Sequence, residues 1–175
     1  MRIMTDTNII ISAFLFLNSV IRKLLEKIVV QDQLILCSYI IEELYAVFKR
    51  KFPEEIDSLD FFLSELAFEL VYTPKRINAS DYPDIRDEND LPILVSAIMG
   101  DVDVFITGDK DFHCIDIERP QIISPKDFSE CIKNGAMMHR ITAGFAQGCG
   151  KQYHGVKSGS RIMKNSHHTC GRYRK

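Results

Sequence analysis

Short β-branched runs alternate along this chain with stretches whose apolar residues recur at helical spacing, and that alternation most constrains the fold. Arg2 to Thr5 reads as a strand, and Ser19 to Val30 as a helix with Val20, Ile21, Leu24, Leu25 and Ile28 on one face. Leu34 to Cys37 is a second strand. Ser38 is placed to cap a helix over Tyr39 to Lys51, which Pro53 stops. Glu54 to Phe68 follows as a helix, Leu70 to Tyr72 as a strand, and Thr73 to Asn89 as a polar loop containing Pro74 and Pro83. Asp90 to Met99 is helical, with Pro92 tolerated in the first turn. Asp103 to Thr107 is a strand, Lys110 to Cys114 a single turn, Gln121 to Ile123 a last strand, and Pro125 to Lys133 a helix begun by Ser124. A β, α, β, α order calls for parallel strands covered by helices, an α/β class in which ligands bind beyond the carboxyl ends of the strands.

Acidic residues fall at those ends. Asp6 closes the first strand and Asp109 a later one, while Glu43 and Asp90 lie in or at the start of helical patterns. Carboxylates grouped in this way resist ionising together unless a cation compensates them, and hard cations such as Mg²⁺ take oxygen ligands. Each acid also has a plainer reading. Asp6 and Asn8 supply turn and capping groups, Asp90 suits a helix cap, and Asp109 follows Gly108 as a turn residue would. Glu43 is harder to explain away, because its helical phase sets it beside Ile40, Leu44 and Val47, whereas Glu42 falls among Ser38, Tyr45, Ala46 and Lys49. The expectation is an inward Glu43 and a solvated Glu42, with a metal ion as the partner that a core-facing carboxylate needs.

Charge divides the chain in two. Residues 1–134 hold all 24 acidic residues against 14 Lys and Arg, and residues 135–175 hold 8 Lys and Arg and no acid. The expected organisation is a folded domain over 1–134, near −10, and a basic, poorly ordered tail over 135–175, near +8. Cys149, His154, His167, His168 and Cys170 lie in that tail, but their spacings match no ordinary zinc finger. Five cysteines without regular spacing fit a reducing cytoplasm better than a disulfide framework. The apolar run from Ile9 to Leu17 is too short to span a bilayer and lacks a basic leader, so no membrane association is expected.

Taken in order, Asp6-Thr7-Asn8 after the first strand, Glu43-Leu44 within a helix, Asp90 opening a helix that contains Ala97, and Thr107-Gly108-Asp109-Lys110-Asp111 after a strand resemble a PIN-domain nuclease. The likeness covers about residues 1–133 and lies nearest the toxin-type branch, related to the toxin ribonucleases of toxin–antitoxin pairs. It implies a three-layer α/β/α sandwich on a central parallel sheet, and divalent-metal-dependent endonuclease activity on RNA. Asp6, Glu43, Asp90 and Asp109 would be the catalytic acids, with Asp6, Asp90, Asp109 and Asp111 holding Mg²⁺ or Mn²⁺ and Glu43 holding a water or acting as base. Asn8 and Thr107 match the polar positions that orient these acids. An antitoxin protein and a homodimer are the partners the resemblance implies besides RNA.

Phosphate contacts must come from local cations, since the folded part is acidic. Lys110 is the best placed, and Lys49 and Arg50, with Lys51, Arg22 and Lys23, are further candidates. Two other functions fit aspartates at strand ends. One is a magnesium-dependent phosphatase or phosphoryl-accepting domain, which usually wants a second aspartate two residues after the first, where this chain has Asn8. The other is a PIN-like RNA- or protein-binding module without cleavage.

Overall fold

The computed structural model of the chain describes residues 1–133. The basic segment, with its cysteine and histidine candidates for zinc, lies outside the described residues. The strands are β1 (Arg2–Thr5), β2 (Gln33–Cys37), β3 (Glu69–Val71), β4 (Val104–Ile106) and β5 (Gln121–Ile123), and the helices are α1 (Thr7–Leu15), α2 (Val20–Gln31), α3 (Ser38–Lys51), α4 (Ile56–Glu65), α5 (Leu91–Met99) and α6 (Pro125–Lys133). All five strands run parallel in the order β3-β2-β1-β4-β5. The expected α/β class and parallel sheet are what the chain forms.

Burial explains why the inner strands read as unbroken apolar runs rather than alternating ones. Ile3, Met4, Leu34, Ile35, Leu36, Val104, Phe105 and Ile106 are all buried, as strands covered on both faces require. α1 packs on α2 and α3, α3 on α4, and α2 on α6. After β3 the chain reverses and crosses to β4 through α5, and the right-handed rule for such crossovers sets α5 on the other face. α5 is apolar nearly all round, with Leu91, Ile93, Leu94, Val95 and Ala97 buried, consistent with a helix covered on most sides. Leaving it, the chain turns at Asp101, whose φ of 51° is left-handed, while a β-carbon on Gly100 would stand 2.9 Å from the Ser96 carbonyl oxygen.

Several local expectations change. Ser38 does not cap α3: Cys37 occupies the cap position without a side-chain bond, and Ser38 Oγ instead accepts from the Thr73 amide at 3.0 Å. The helix expected over Glu54 to Phe68 is shorter, a 3₁₀ turn at Pro53–Glu55 followed by α4. The polar loop carries two 3₁₀ turns, Ala79–Asp81 and Glu88–Asp90. Asp90 ends the second of these, so α5 begins one residue later than expected. Ser124 does begin α6: its Oγ accepts from the Asp127 amide at 3.2 Å and donates to Asp127 Oδ2 at 2.6 Å. Among the described residues no single helix is long and apolar enough to cross a membrane.

The two edges of the sheet differ in their electrostatics. At the amino ends acids and bases are matched. Arg2 makes a fork on Glu69 at 2.7 and 2.8 Å, Arg119 reaches Asp101 and Asp103, and the chain's amino group meets Asp32 at 2.8 Å. At the carboxyl ends acids predominate.

Candidate active site at the carboxyl edge of the sheet

Register between β1 and β4 builds the centre of this edge. Thr5 pairs with Ile106, so the next residues, Asp6 and Thr107, emerge side by side at the point where the connections leaving β1 and β4 diverge. Asp6 is buried and fully committed. Its Oδ1 accepts from the Ile9 amide at 2.8 Å as the cap of α1, and its Oδ2 accepts from Thr107 Oγ1 at 2.5 Å and from the Gly108 amide at 3.3 Å. The capping reading and the site reading are therefore both true of Asp6. Burial nonetheless pushes its pKa up against those three donors, with Asp109 adding to the rise.

Thr107 links two acids, since its Oγ1 donates to Asp6 and accepts from the Asp109 amide at 3.0 Å. It contrasts with Thr5, whose hydroxyl is alone among the buried side-chain polar atoms of the described residues in having no partner. Thr107→Val keeps most of the volume but removes a bond to a buried carboxylate. The expected result is a loss of roughly 1–3 kcal/mol in urea unfolding, together with reduced activity, and Thr107→Ser should recover both.

Asp90 is half-buried at the N-cap position of α5 but makes no capping hydrogen bond with its side chain, so of the plainer readings only the favourable helix dipole remains. Asp87, one turn earlier, takes the Asn89 amide instead. Burial, then the charges of Asp109, Asp87, Glu43 and Asp111, push Asp90 to about 6. The acids of three separate segments, α3, the turn before α5 and the turn after β4, thus share one electrostatic neighbourhood. A raised carboxylate pKa destabilises the fold as pH rises: from about 3.8, its ordinary value, to about 6 the folded state holds the extra proton, and the penalty is complete above that window. Metal-free protein should therefore melt higher at about pH 5 than at about pH 7.5. Asp90→Asn should flatten that difference, and Mg²⁺ should raise the melting temperature mainly at the higher pH. Equal pH slopes in wild type and Asp90→Asn would refute this.

Glu43 requires correction. It is exposed, as Glu42 is, while the stripe of α3 that enters the core is Ile40, Leu44 and Phe48. A carboxylate at the border of that stripe turns to water and to a polar neighbour: Thr7 Oγ1 donates to Glu43 Oε2. Thr7, itself buried in the first turn of α1, was not singled out from sequence, although it stands between two residues that were. Asn8 is exposed at the groove and makes no hydrogen bond to an acid, so the orienting role expected of Asn8 falls to Thr7.

Asp109 is exposed, and its Oδ1 accepts from the Asp111 amide at 2.9 Å. Asp111 is paired with Arg86, Nη1 to Oδ1 at 3.2 Å. Asp6, Asn8, Ser12, Arg86, Asp109, Lys110 and Asp111 line one groove of about 610 Å³. Lys110 is exposed there as expected. Lys49, Arg50 and Lys51 are not brought to it, because they form the last turn of α3, about 10 Å along the axis from Glu43. Arg22 is engaged elsewhere, with Glu26 at 2.8 Å and over the Phe62 ring, and Lys23 is exposed on α2.

Among the described residues, no Lys, Arg or His pairs with Asp6, Glu43, Asp90 or Asp109, and no three His, Cys, Asp or Glu side chains converge to coordination distance. Asp6, Asp109 and Asp111 line the groove, while Glu43 and Asp90 stand outside its lining, and like charges so grouped repel one another. The donor set, hard oxygens without a basic partner, is of the type a divalent cation takes.

No curated protein matches the chain. A similar solved structure is that of VapBC2 from Rickettsia felis bound to a DNA fragment from their promoter, with 25% identity over 71% of this chain and 98% of the matched one, at a TM-score of 0.54. The profile of the PIN domain matches residues 2–111, a span that runs from β1 through Asp6, Glu43, Asp90 and Asp109 to Asp111. With the parallel sheet and the acidic groove at its carboxyl edge, that match establishes that the chain belongs to the PIN-domain family, whose members are generally nucleases.

Proposed function

We propose that this protein is a divalent-metal-dependent endoribonuclease and the toxin of a toxin–antitoxin pair. The observation that carries the reading is the contrast between the two sheet edges: acids are neutralised at one, while at the other Asp6, Glu43, Asp90 and Asp109 have no basic partner among the described residues and Asp90 is driven to about 6. Uncompensated carboxylates cost stability unless they serve a ligand. Similarity to a chain of the VapBC2 complex supports an antitoxin partner. Cys37, Cys114 and Cys131 are free thiols, which suits action on RNA in the cytoplasm.

Asp6, Asp90 and Asp109 would hold Mg²⁺ or Mn²⁺, which when bound supplies Lewis acidity at the scissile phosphate and a lowered pKa for water. The rest falls to side chains. Asp6 is fixed by three donors and presents its charge without rotational freedom, which is the preorganisation such chemistry needs. Thr107 sets the spacing of Asp6 and Asp109. Glu43, which accepts from Thr7 and is open to solvent, would take the proton of the attacking water. Asp111, paired with Arg86, is given no metal in this scheme. The direct test is incubation of the full chain with single-stranded and structured RNA, and with matched DNA, in Mn²⁺ or Mg²⁺ beside a chelator. Cleavage of RNA that vanishes with chelator supports the reading. Folded, metal-loaded protein that leaves every RNA intact would end it.

A further inference from the structure

We propose that Arg86 binds a phosphate of the substrate strand next to the scissile one, and that Asp111 serves to aim it rather than to hold metal. The proposal rests on the nuclease reading and extends it to the contact that seats the strand. Arg86 stands on the loop before α5 and is, with Lys110, one of two cations among the described residues that line the acidic groove. Its side chain is 83% exposed, and its one ion pair, with Asp111, is long at 3.2 Å. An exposed pair of this kind contributes about 0–1 kcal/mol, so stability does not explain a guanidinium held there. Only Nη1 is engaged, which leaves Nη2 and Nε, one side of the planar fork, open to a phosphate's two oxygens.

The anchor is tied to the chemistry. The Asp111 amide donates to Asp109 Oδ1, so the group that steers Arg86 moves with a metal-facing acid. Asp111 thus resembles its neighbours in type while differing from them in circumstance: it alone of the groove's acids has a basic partner among the described residues. A negatively charged strand entering a groove rich in carboxylate needs a cation on its path, and Arg86 and Lys110 supply it from two separate loops.

The test uses the full chain, a fluorescent single-stranded RNA and Mn²⁺, with Arg86→Gln, Arg86→Lys and Asp111→Asn beside wild type. Arg86→Gln is expected to raise KM about tenfold or more with little change in kcat, and to lower the salt slope of RNA binding by about 0.7. Arg86→Lys should recover the salt slope but only part of KM, since an ammonium lacks the fork. Asp111→Asn should raise KM modestly and leave the Mn²⁺ dependence where it was. A shifted Mn²⁺ requirement with a fall in kcat in Asp111→Asn would overturn the assignment of Asp111. Unchanged KM and salt slope in Arg86→Gln would overturn that of Arg86, while chelator-sensitive cleavage would leave the nuclease reading standing. Binding whose salt slope depends on Arg86, in a wild type that cleaves nothing, would keep the phosphate contact of Arg86 and overturn its place beside a scissile phosphate together with the nuclease reading.

Discussion

Replacing Asp6 with asparagine is expected to lower metal-dependent RNA cleavage by more than about 100-fold, beyond what loss of a supporting residue around a metal site costs, while the protein stays folded. Asparagine is as good a helix cap as aspartate, so the bond from the Ile9 amide survives. Thr107 can reverse its hydroxyl to accept from the new amide, and only the weak contact from Gly108 is lost. What disappears is the negative charge at the one acid whose position is fixed on three sides. Circular dichroism and a melting curve close to wild type, with cleavage at background, is the result to look for. Wild-type rates in the variant would show either a contaminating nuclease or a site placed elsewhere.

The second large effect is on stability. Phe105 is fully buried in β4 and meets Phe112 edge to face, with ring centroids 4.9 Å apart. Phe105→Ala should cost about 3–5 kcal/mol, a substantial part of the roughly 5–15 kcal/mol that holds an ordinary domain together. The denaturant midpoint should fall sharply, with the slope of the transition unchanged if the fold remains two-state. Activity should fall with it even where the protein remains folded, because β4 delivers Thr107 and Phe112 underlies the turn after Asp111. A loss below about 1 kcal/mol would mean that the core around β4 closes over the cavity.

The parallel sheet was legible because strands buried on both faces must be apolar throughout, and Leu34 to Cys37 and Val104 to Ile106 are. The groove acids were legible for a similar reason, since a carboxylate directly after such a strand has to emerge at its carboxyl end. The exposure of Glu43 is not legible in this way. Helical phase gives a direction around an axis but not the depth of the neighbouring layer, and at the border of the stripe a side chain can turn to solvent instead. Lys49 and Arg50 were misjudged along the other coordinate: they share a helix with Glu43, yet its length carries them away from the groove. Thr7 and Arg86 were passed over because their importance lies in their partners, Glu43 and Asp111, which are 36 and 25 residues distant. Ser38 looked like a cap by type, but the Thr73 amide takes its oxygen.

The hydrogen bond from Thr107 to Asp6 joins residues 101 positions apart. Synthesis proceeds from the amino end, so Asp6 and Glu43 exist in the chain long before anything can hold the second oxygen of Asp6. Until β4 has slotted in beside β1, the nascent polypeptide can hold Asp6 by one oxygen only, through the Ile9 amide. A product truncated before Thr107 would carry Asp6 and Glu43 without the hydroxyl that holds the second oxygen of Asp6.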